Sequence, residues 1–224
     1  MAEKMVFFAS DNAAYDEKII EYDFYPGFAP SQKQKSMRSL HESIVRAFPG
    51  KSVLEISTKS DKQEGIMLSA FNLPFYHEEI QDRRHLENVF QSSKVFENGG
   101  PYRGLLNVAP KDAKKDPRLT ESGFLKHFNL YGVDWPLEPK TLFYDWIYIT
   151  ALKQNQDLAV ELMKYDVFTD IEFNHKKSIN CQARSAAIFV SLSRQGVLEE
   201  KTKSKDAFMT IYATEQGSEQ LTFL

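Results

Sequence analysis

The chain has 224 residues, of which 42% are hydrophobic and 26% are charged, and its net charge at pH 7 is −3. These values are typical of a globular protein with a well-buried core, and they exclude an intrinsically disordered chain. The lack of a basic excess also excludes a protein that holds long nucleic acid through its phosphates, but not an enzyme that takes one exposed nucleotide into a pocket.

Neither a membrane span nor a secretory signal is expected. No apolar run approaches the ~20 residues that a bilayer-spanning helix needs, and the first eight residues lack the basic and apolar segments of a signal peptide. Cys181 is the only cysteine, which fits a reducing compartment. We therefore expect a cytoplasmic protein. The five histidines show no ligand spacing, so we expect neither a metal nor another cofactor.

The N-terminal quarter predicts a short strand followed by a helix. Residues 5–10 read as the strand, and Ser31 with Gln34 fits a capping box at the start of the helix. Apolar residues then recur at helical spacing until Pro49 and Gly50 end the pattern. Two further strands are predicted over residues 53–58 and 66–71, with the charged residues 59–64 as the turn between them.

Residues 86–96 predict a helix with one polar stripe. Glu87, Gln91 and Lys94 lie at i, i+4 and i+7, so a helix would place them on one side. Periodicity alone favours a solvated face for such a stripe. The neighbouring aromatic residues and the turn after Asn98 favour a cleft instead.

The remaining chain predicts mostly helices. Residues 99–140 read as loop with a short helix near 111–115. Further helices are expected over residues 141–154, 157–165 and 185–194, and a hairpin is expected between residues 207–212 and 221–224. Together these elements predict a mostly helical α+β single domain with small peripheral β-sheets.

An ordered series of short motifs resembles the NADAR family. Leu-Ser-Ala-Phe at residues 68–71 precedes Glu-x-x-Phe-Gln-x-x-Lys at residues 87–94, and Ala-Pro-Lys-Asp-Ala-Lys-Lys at residues 109–115 follows. Segments resembling the family's later motifs continue in the family's order to about residue 192. The resemblance implies a single NADAR-type domain over residues 1–224 with a core at about 65–192. The ends, 1–60 and 200–224, resemble extensions of the subgroup paired with DarT-type DNA ADP-ribosyltransferase toxins.

Three departures from the family's pattern limit this transfer. Asn88 stands where the family has a His, and Ala70 where it has an Asn. The family's Asp-x-x-Trp-Gly loop has no counterpart between Phe173 and Ile179. Binding roles are therefore not carried over to these positions.

The resemblance implies a hydrolase that removes ADP-ribose from guanine bases of DNA and so acts as an antitoxin. Glu87 is the expected catalytic carboxylate, since breaking an N-glycosidic bond forms an oxocarbenium-like ribose that a carboxylate stabilises. Lys94 is expected either to form a Schiff base with the opened ribose or to bind a phosphate. The expected partners are ADP-ribosylated DNA as substrate, ADP-ribose as product, and a DarT-like toxin in function.

Other residues complete the expected site. On a strand only one of Asp170 and Glu172 would face a cleft. The resemblance favours Glu172, which matches the family's glutamate, as the third catalytic candidate, with a structural role as the alternative. The expected ADP-ribose ligands come from the family-like motifs and the start of the last helix; they are Ser69, Phe71, Gln91, Trp146, Asn180, Gln182 and Arg184. For Trp146, Asn180, Gln182 and Arg184, a structural role is the alternative.

Two rival functions stay open at this stage. One is a non-catalytic module that binds ADP-ribose or NAD, or that blocks a toxin by direct contact. The other is a hydrolase of a small N-glycoside metabolite. The sequence does not distinguish DNA from RNA as the substrate.

Overall fold

A four-stranded sheet and two smaller sheets are embedded among helices in the computed structural model, which describes residues 1–27, 29–174 and 178–219. The strands are β1 (Ala2–Phe8), β2 (Asp16–Tyr22), β3 (Val53–Glu55), β4 (Pro74–Tyr76), β5 (Arg83–His85), β6 (Lys94–Phe96), β7 (Leu125–Leu130), β8 (Val133–Trp135) and β9 (Val167–Thr169). The helices are α1 (Pro30–Ala47), α2 (Gln63–Met67), α3 (Leu86–Ser92), α4 (Pro110–Lys115), α5 (Arg118–Glu121), α6 (Leu142–Gln154), α7 (Gln156–Leu162), α8 (Gln182–Arg194), α9 (Leu198–Lys201) and α10 (Lys205–Glu219), with a 3-10 turn at Arg103–Asn107. The predicted α+β class with small sheets is confirmed.

The largest sheet has the strand order β2-β1-β9-β3. Strand β1 pairs antiparallel with β2 and β9, whereas β3 pairs parallel with β9. Side chains alternate between the two faces of a strand. Val6 and Phe8 therefore pack with Leu40 of α1, while Phe7 belongs to the main core on the other face.

Helices α6 and α8 form the centre of the main core. Nine of the 13 residues of α6 are buried, and ten consecutive residues of α8 from Ala183 to Leu192 are buried. A helix that is apolar on all sides is stable only when other elements surround it. The predicted helices in this part of the chain, and the short helix near residue 111, are confirmed.

The predicted capping box is wrong, although the helix it was meant to start is present. The N-cap of α1 is Ala29, without a side-chain hydrogen bond, and Pro30 takes the first helical turn. Proline suits this position because its fixed φ is helical and it has no N–H to leave unpaired. Ser31 therefore lies inside the helix rather than at its cap.

The predicted strand over residues 66–71 is also wrong. Helix α2 occupies Gln63–Met67, and a turn follows in which the Ser69 hydroxyl donates to the Ile66 carbonyl at 2.8 Å. Gly65 allows this helix to lie against β3, since a Cβ there would stand 2.1 Å from the Glu55 carbonyl oxygen. Tertiary contact with β3 overrides the apolar run that suggested a strand.

The helix predicted over residues 86–96 ends early, at Ser92. Ser92 and Ser93 both donate to the Val89 carbonyl, a local hydrogen bond that competes with helix continuation. Lys94 then opens strand β6, which pairs with β7. Glu87, Gln91 and Lys94 therefore do not share one helical stripe.

Two further expectations need correction. Residues 207–212 lie in helix α10 instead of a hairpin strand, and residues 221–224 fall outside the described part of the chain. Residues 99–140, expected as loop, contain β7 and β8 as well as short helices. Within the described ranges, none of the helices is both long and apolar enough to cross a membrane.

Candidate functional site

A cavity of about 320 Å³ lies between helix α3, the turn after α2, helix α4 and the segment that follows β9. Seven of the ten predicted site residues line it: Ser69, Phe71, Glu87, Gln91, Glu172, Asn180 and Gln182. Lys94, Trp146 and Arg184 are not among its lining residues. Polar and aromatic groups thus converge on one concave surface, as in small-molecule sites.

Helix α3 supplies the buried carboxylate of this cavity. Glu87 is 5% exposed, and its backbone N–H donates to the Ala70 carbonyl at 2.9 Å, which ties the helix to the turn after α2. The Gln91 side-chain amide donates to Glu87 Oε1 at 2.8 Å. The Gln91 amide oxygen is buried and has no protein hydrogen-bond partner among the described residues. Such an acceptor is available to a donor on a ligand.

Lys94 reaches the same region from strand β6. Its ammonium lies 4.8 Å from the centre of the Phe90 ring, and Phe90 lines the cavity. Burial lowers the pKa of Lys94 to about 8. The negative charge of Glu87 opposes this shift, and the positive charge of nearby Lys114 adds to it. A substantial fraction of this amine is therefore uncharged near neutral pH, as a nucleophilic lysine requires.

Lys114 of α4 is a second cation at the cavity. It lines the wall directly, and its ammonium lies 5.2 Å from the centre of the Phe71 ring. The two lysines thus differ, one being buried with a lowered pKa and the other facing the cavity.

The opposite wall is the turn that follows β9. Because β9 ends at Thr169, strand alternation does not apply beyond it, and both Asp170 and Glu172 line the cavity. The expectation that only one of them could do so is wrong. Asp170 accepts hydrogen bonds from the backbone N–H groups of Glu172 and Phe173 at 3.0 and 3.1 Å. Burial, together with the charge of Glu55, raises the pKa of Asp170 to about 7.

Gln182, at the start of α8, joins three walls of the cavity. Its amide nitrogen donates to the Ile56 carbonyl at 2.6 Å and to Asp170 Oδ2 at 3.0 Å, and its oxygen accepts the Ala70 N–H at 2.8 Å. Both polar atoms of this amide are therefore engaged with protein. We expect Gln182 to shape the site, and direct contact with ADP-ribose remains a prediction.

Arg184 and Trp146 lie away from the cavity. The Arg184 guanidinium contacts Asp145 Oδ2 at 2.6 Å and lines a neighbouring cavity of about 550 Å³. The Trp146 ring packs against Trp135 and Phe208, with ring centres 5.0 and 5.2 Å away. These contacts favour structural roles, and binding of ADP-ribose by either residue stays untested.

Asn88, one of the departures from the family's pattern, also points away from the cavity. Its amide donates to the carbonyls of Leu105 and Val108 at 2.6 and 2.9 Å and holds the 3-10 turn against α3. Asn88 thus has a structural role in this chain.

Three further titratable residues line the cavity without having been assigned to the site from the sequence: Lys114, Tyr144 and Asp170. Lys114 belongs to the motif at residues 109–115, so its signal was present but was not assigned to the site. Tyr144 lies on the buried helix α6, and the apolar residues around it in the sequence gave no indication that it would line a cavity. In the described part of the chain, no cluster of three or more His, Cys, Asp or Glu side chains could hold a metal ion.

A family model for DarT1-associated NADAR antitoxins matches residues 2–222. The chain belongs to the DarT1-associated NADAR antitoxin family. This match confirms the resemblance drawn from the motifs, including the subgroup paired with DarT-type toxins. It extends over both ends of the chain, which the motif series did not reach. A comparison with curated proteins found no match.

Proposed function

We propose that this NADAR antitoxin is a hydrolase that removes ADP-ribose from guanine bases of DNA and so reverses the modification made by a DarT-type toxin. The observation that carries the proposal is the pairing of a buried carboxylate, Glu87, with a lysine whose pKa lies at about 8, beside a cavity of about 320 Å³.

Glu87 supplies the charge that bond cleavage needs. As the bond between ribose C1″ and the guanine amino group weakens, positive charge develops on the ribose, and a nearby carboxylate stabilises it. The same carboxylate then takes a proton from the attacking nucleophile. The Gln91 amide, which donates to Glu87 Oε1, orients this carboxylate.

Lys94 supports a covalent route. When the ribose ring opens, C1″ forms an imine with the guanine nitrogen and the ring oxygen takes up a proton. The neutral Lys94 amine adds to C1″, and the guanine amine leaves with a proton. Water then hydrolyses the lysine imine, which releases ADP-ribose and regenerates the amine. The net reaction consumes one water, and the lowered pKa supplies the free amine.

Lys114 is better suited than Lys94 to bind a phosphate. It lines the cavity, whereas Lys94 is the more deeply buried of the two and faces the Phe90 ring. A charged lysine at the cavity surface suits the diphosphate of ADP-ribose. We therefore assign the chemistry to Lys94 and the anion contact to Lys114.

The test uses two DNA oligonucleotides of equal length, one ADP-ribosylated on guanine and one on thymine. We expect mass spectrometry to detect release of ADP-ribose from guanine only. Thymine is joined through a ring imide nitrogen that cannot form a neutral imine, and a site that hydrogen-bonds one base edge rejects another by up to ~10⁴-fold.

The other outcomes separate the rival functions. Equal release from both oligonucleotides would show that the cavity reads only ADP-ribose. Binding of ADP-ribose without release would identify a non-catalytic module. Release from a modified nucleoside but not from the oligonucleotide would identify a metabolite hydrolase.

A further inference from the structure

The N-terminal strand places a buried lysine behind the wall of the cavity. Lys4 of β1 is 7% exposed, and its ammonium donates to the Ile171 carbonyl at 2.8 Å and also to the Phe173 carbonyl. Both carbonyls belong to the turn that carries Asp170 and Glu172 into the cavity. Lys4 is not a lining residue, so it contacts the turn from the side that faces away from a ligand.

Glu55 of β3 holds the same turn at a second point. Its Oε1 accepts the Ile171 N–H at 2.8 Å and the Ser57 hydroxyl at 2.6 Å, while Oε2 accepts the Thr169 hydroxyl at 2.6 Å. Ile171 is therefore bound through its N–H by Glu55 and through its carbonyl by Lys4. The path of the turn depends on this pair of charges.

Asp170 belongs to a group of buried charges that the described part of the chain brings together behind the turn. Asp170 and Glu55 are both buried carboxylates, and Lys4 is the ammonium that faces them. Among the described residues, the Cys181 thiol and the hydroxyls of Tyr144 and Tyr148 also lie near Asp170. Further titratable groups surround this cluster: Lys33 near Lys4, Tyr22 near Glu55, His41 on the Thr169 hydroxyl, and Glu172 and Lys114 at the cavity. An isolated buried charge is costly, so one ammonium stabilises one carboxylate and leaves the second inclined to hold a proton.

The protonation tendencies agree with this account. Burial raises the pKa of Glu55, and its hydrogen bonds to Ser57, Thr169 and Ile171 and the charge of Lys4 oppose the rise. Burial lowers the pKa of Lys4, while the two carboxylates raise it. Of the two carboxylates, Asp170 lines the cavity and can exchange its proton with a ligand there.

We propose that Lys4 is a positioning residue of the site. It holds the turn from Asp170 to Phe173 in place through the Ile171 and Phe173 carbonyls, and its ammonium supplies positive charge behind the buried Asp170 and Glu55 carboxylates. The N-terminal strand β1 thereby contributes a positioning residue to the site. The inference rests on the proposed function only where it concerns the rate of hydrolysis.

The first experiment does not depend on activity. The side-chain carboxyl of Asp170 is followed by ¹³C NMR across a pH titration, with Asp170→Asn to assign its signal. Lys4→Met removes the opposing charge and should raise the titration midpoint by about 1 to 3 pH units. Glu55→Gln removes a like charge and should lower it. Lys18→Met, on exposed β2, is the control and should leave it unchanged.

Lys4→Gln separates charge from hydrogen bonding, because its amide can still donate to the turn. We expect it to raise the midpoint as Lys4→Met does but to cost less stability. If Lys4→Met does not fold, Lys4→Gln and Glu55→Gln carry the test alone. Midpoints of Asp170 that do not move in opposite directions in the lysine and glutamate variants would overturn the inference.

The second experiment reads the rate of ADP-ribose release against pH. In Lys4→Met and Lys4→Gln, a limb of the pH–rate profile that coincides with the NMR midpoint of Asp170 should move with that midpoint to higher pH, while Lys4→Arg should restore the wild-type profile in part. A uniform loss of rate without movement of this limb would reduce Lys4 to a structural role. A shifted NMR midpoint in a protein that releases no ADP-ribose would instead refute the proposed function and leave the inference standing.

Discussion

In the described part of the chain, the buried charges of the core and those at the cavity differ in how completely their hydrogen bonds are satisfied. In the core between α6 and α8, Asp145 is 0% exposed and accepts from Arg184 at 2.6 Å, Ser185 at 2.5 Å and Tyr212 at 2.7 Å. At the cavity, Glu87 accepts from Gln91, whose own amide oxygen has no partner among the described residues. The Lys94 ammonium lies over a ring.

The comparison teaches that burial alone does not mark a functional charge. A buried ion pair with all its lone pairs satisfied resists change and orders the core around it. A buried charge at a cavity wall that lacks some of its hydrogen-bond partners can take them from a ligand, and such groups often have perturbed pKa values. The predictions below test whether the two groups behave in these different ways.

The largest effect is expected for Glu87→Gln. Glutamine keeps the size and the contact with Gln91 but cannot carry charge or act as a base, so release of ADP-ribose should fall by about 10²–10⁴-fold. Binding of ADP-ribose, measured by calorimetry, should persist. Glu97→Gln, on an exposed carboxylate outside the cavity, is the matched control and should keep the wild-type rate. Retention of more than about a third of the rate by Glu87→Gln would remove Glu87 from its role.

A loss of similar size is expected for Lys94→Arg, because a guanidinium cannot form the imine. Borohydride added to the wild-type protein during turnover should leave ADP-ribose covalently attached, and peptide mass spectrometry should locate it at Lys94. Lys114→Arg should retain the adduct and much of the rate. An active Lys94→Arg variant together with no adduct would exclude the covalent route.

The core group should respond through stability instead of rate. Arg184→Met leaves the Asp145 carboxylate buried without its cation, so the free energy of unfolding should fall by about 3–5 kcal/mol. Tyr212→Phe removes one hydrogen bond to the same carboxylate and should cost about 1.5–3 kcal/mol. The rate per folded molecule should be unchanged in both. A lost affinity for ADP-ribose in Arg184→Met would show that this guanidinium binds the ligand after all.

The smallest expected effect is the pH dependence of the covalent step. Since the pKa of Lys94 lies at about 8, its neutral form predominates above that pH and declines about tenfold for each pH unit below it. The rate of adduct trapping should therefore rise with pH and level off above about 8. A trapping rate independent of pH between 6 and 9 would contradict a lysine nucleophile of lowered pKa.

Local patterns predicted much of the fold and some of the site. The spacing of apolar residues in α1 and the long runs of apolar residues in α6 and α8 favour a helix regardless of which element packs against them. These helices were therefore predicted near their observed bounds. The motif residues Ser69, Glu87 and Gln91 were also placed correctly on one cavity. The strands β7 and β8 were missed, because their short apolar segments form strands only by pairing with β6 and with each other.

The sequence by itself determined the family and the helical core, and it singled out Glu87 as the carboxylate to test. The tertiary structure alone decided that Lys94 lies on strand β6 instead of on the helix that carries Glu87, and that Asp170 faces the cavity together with Glu172. It also decided that Lys4, more than 160 residues earlier, holds the turn of Asp170. The physical reason is that helical periodicity is a local property, whereas strand pairing and the balance of buried charges join residues that are far apart in the chain.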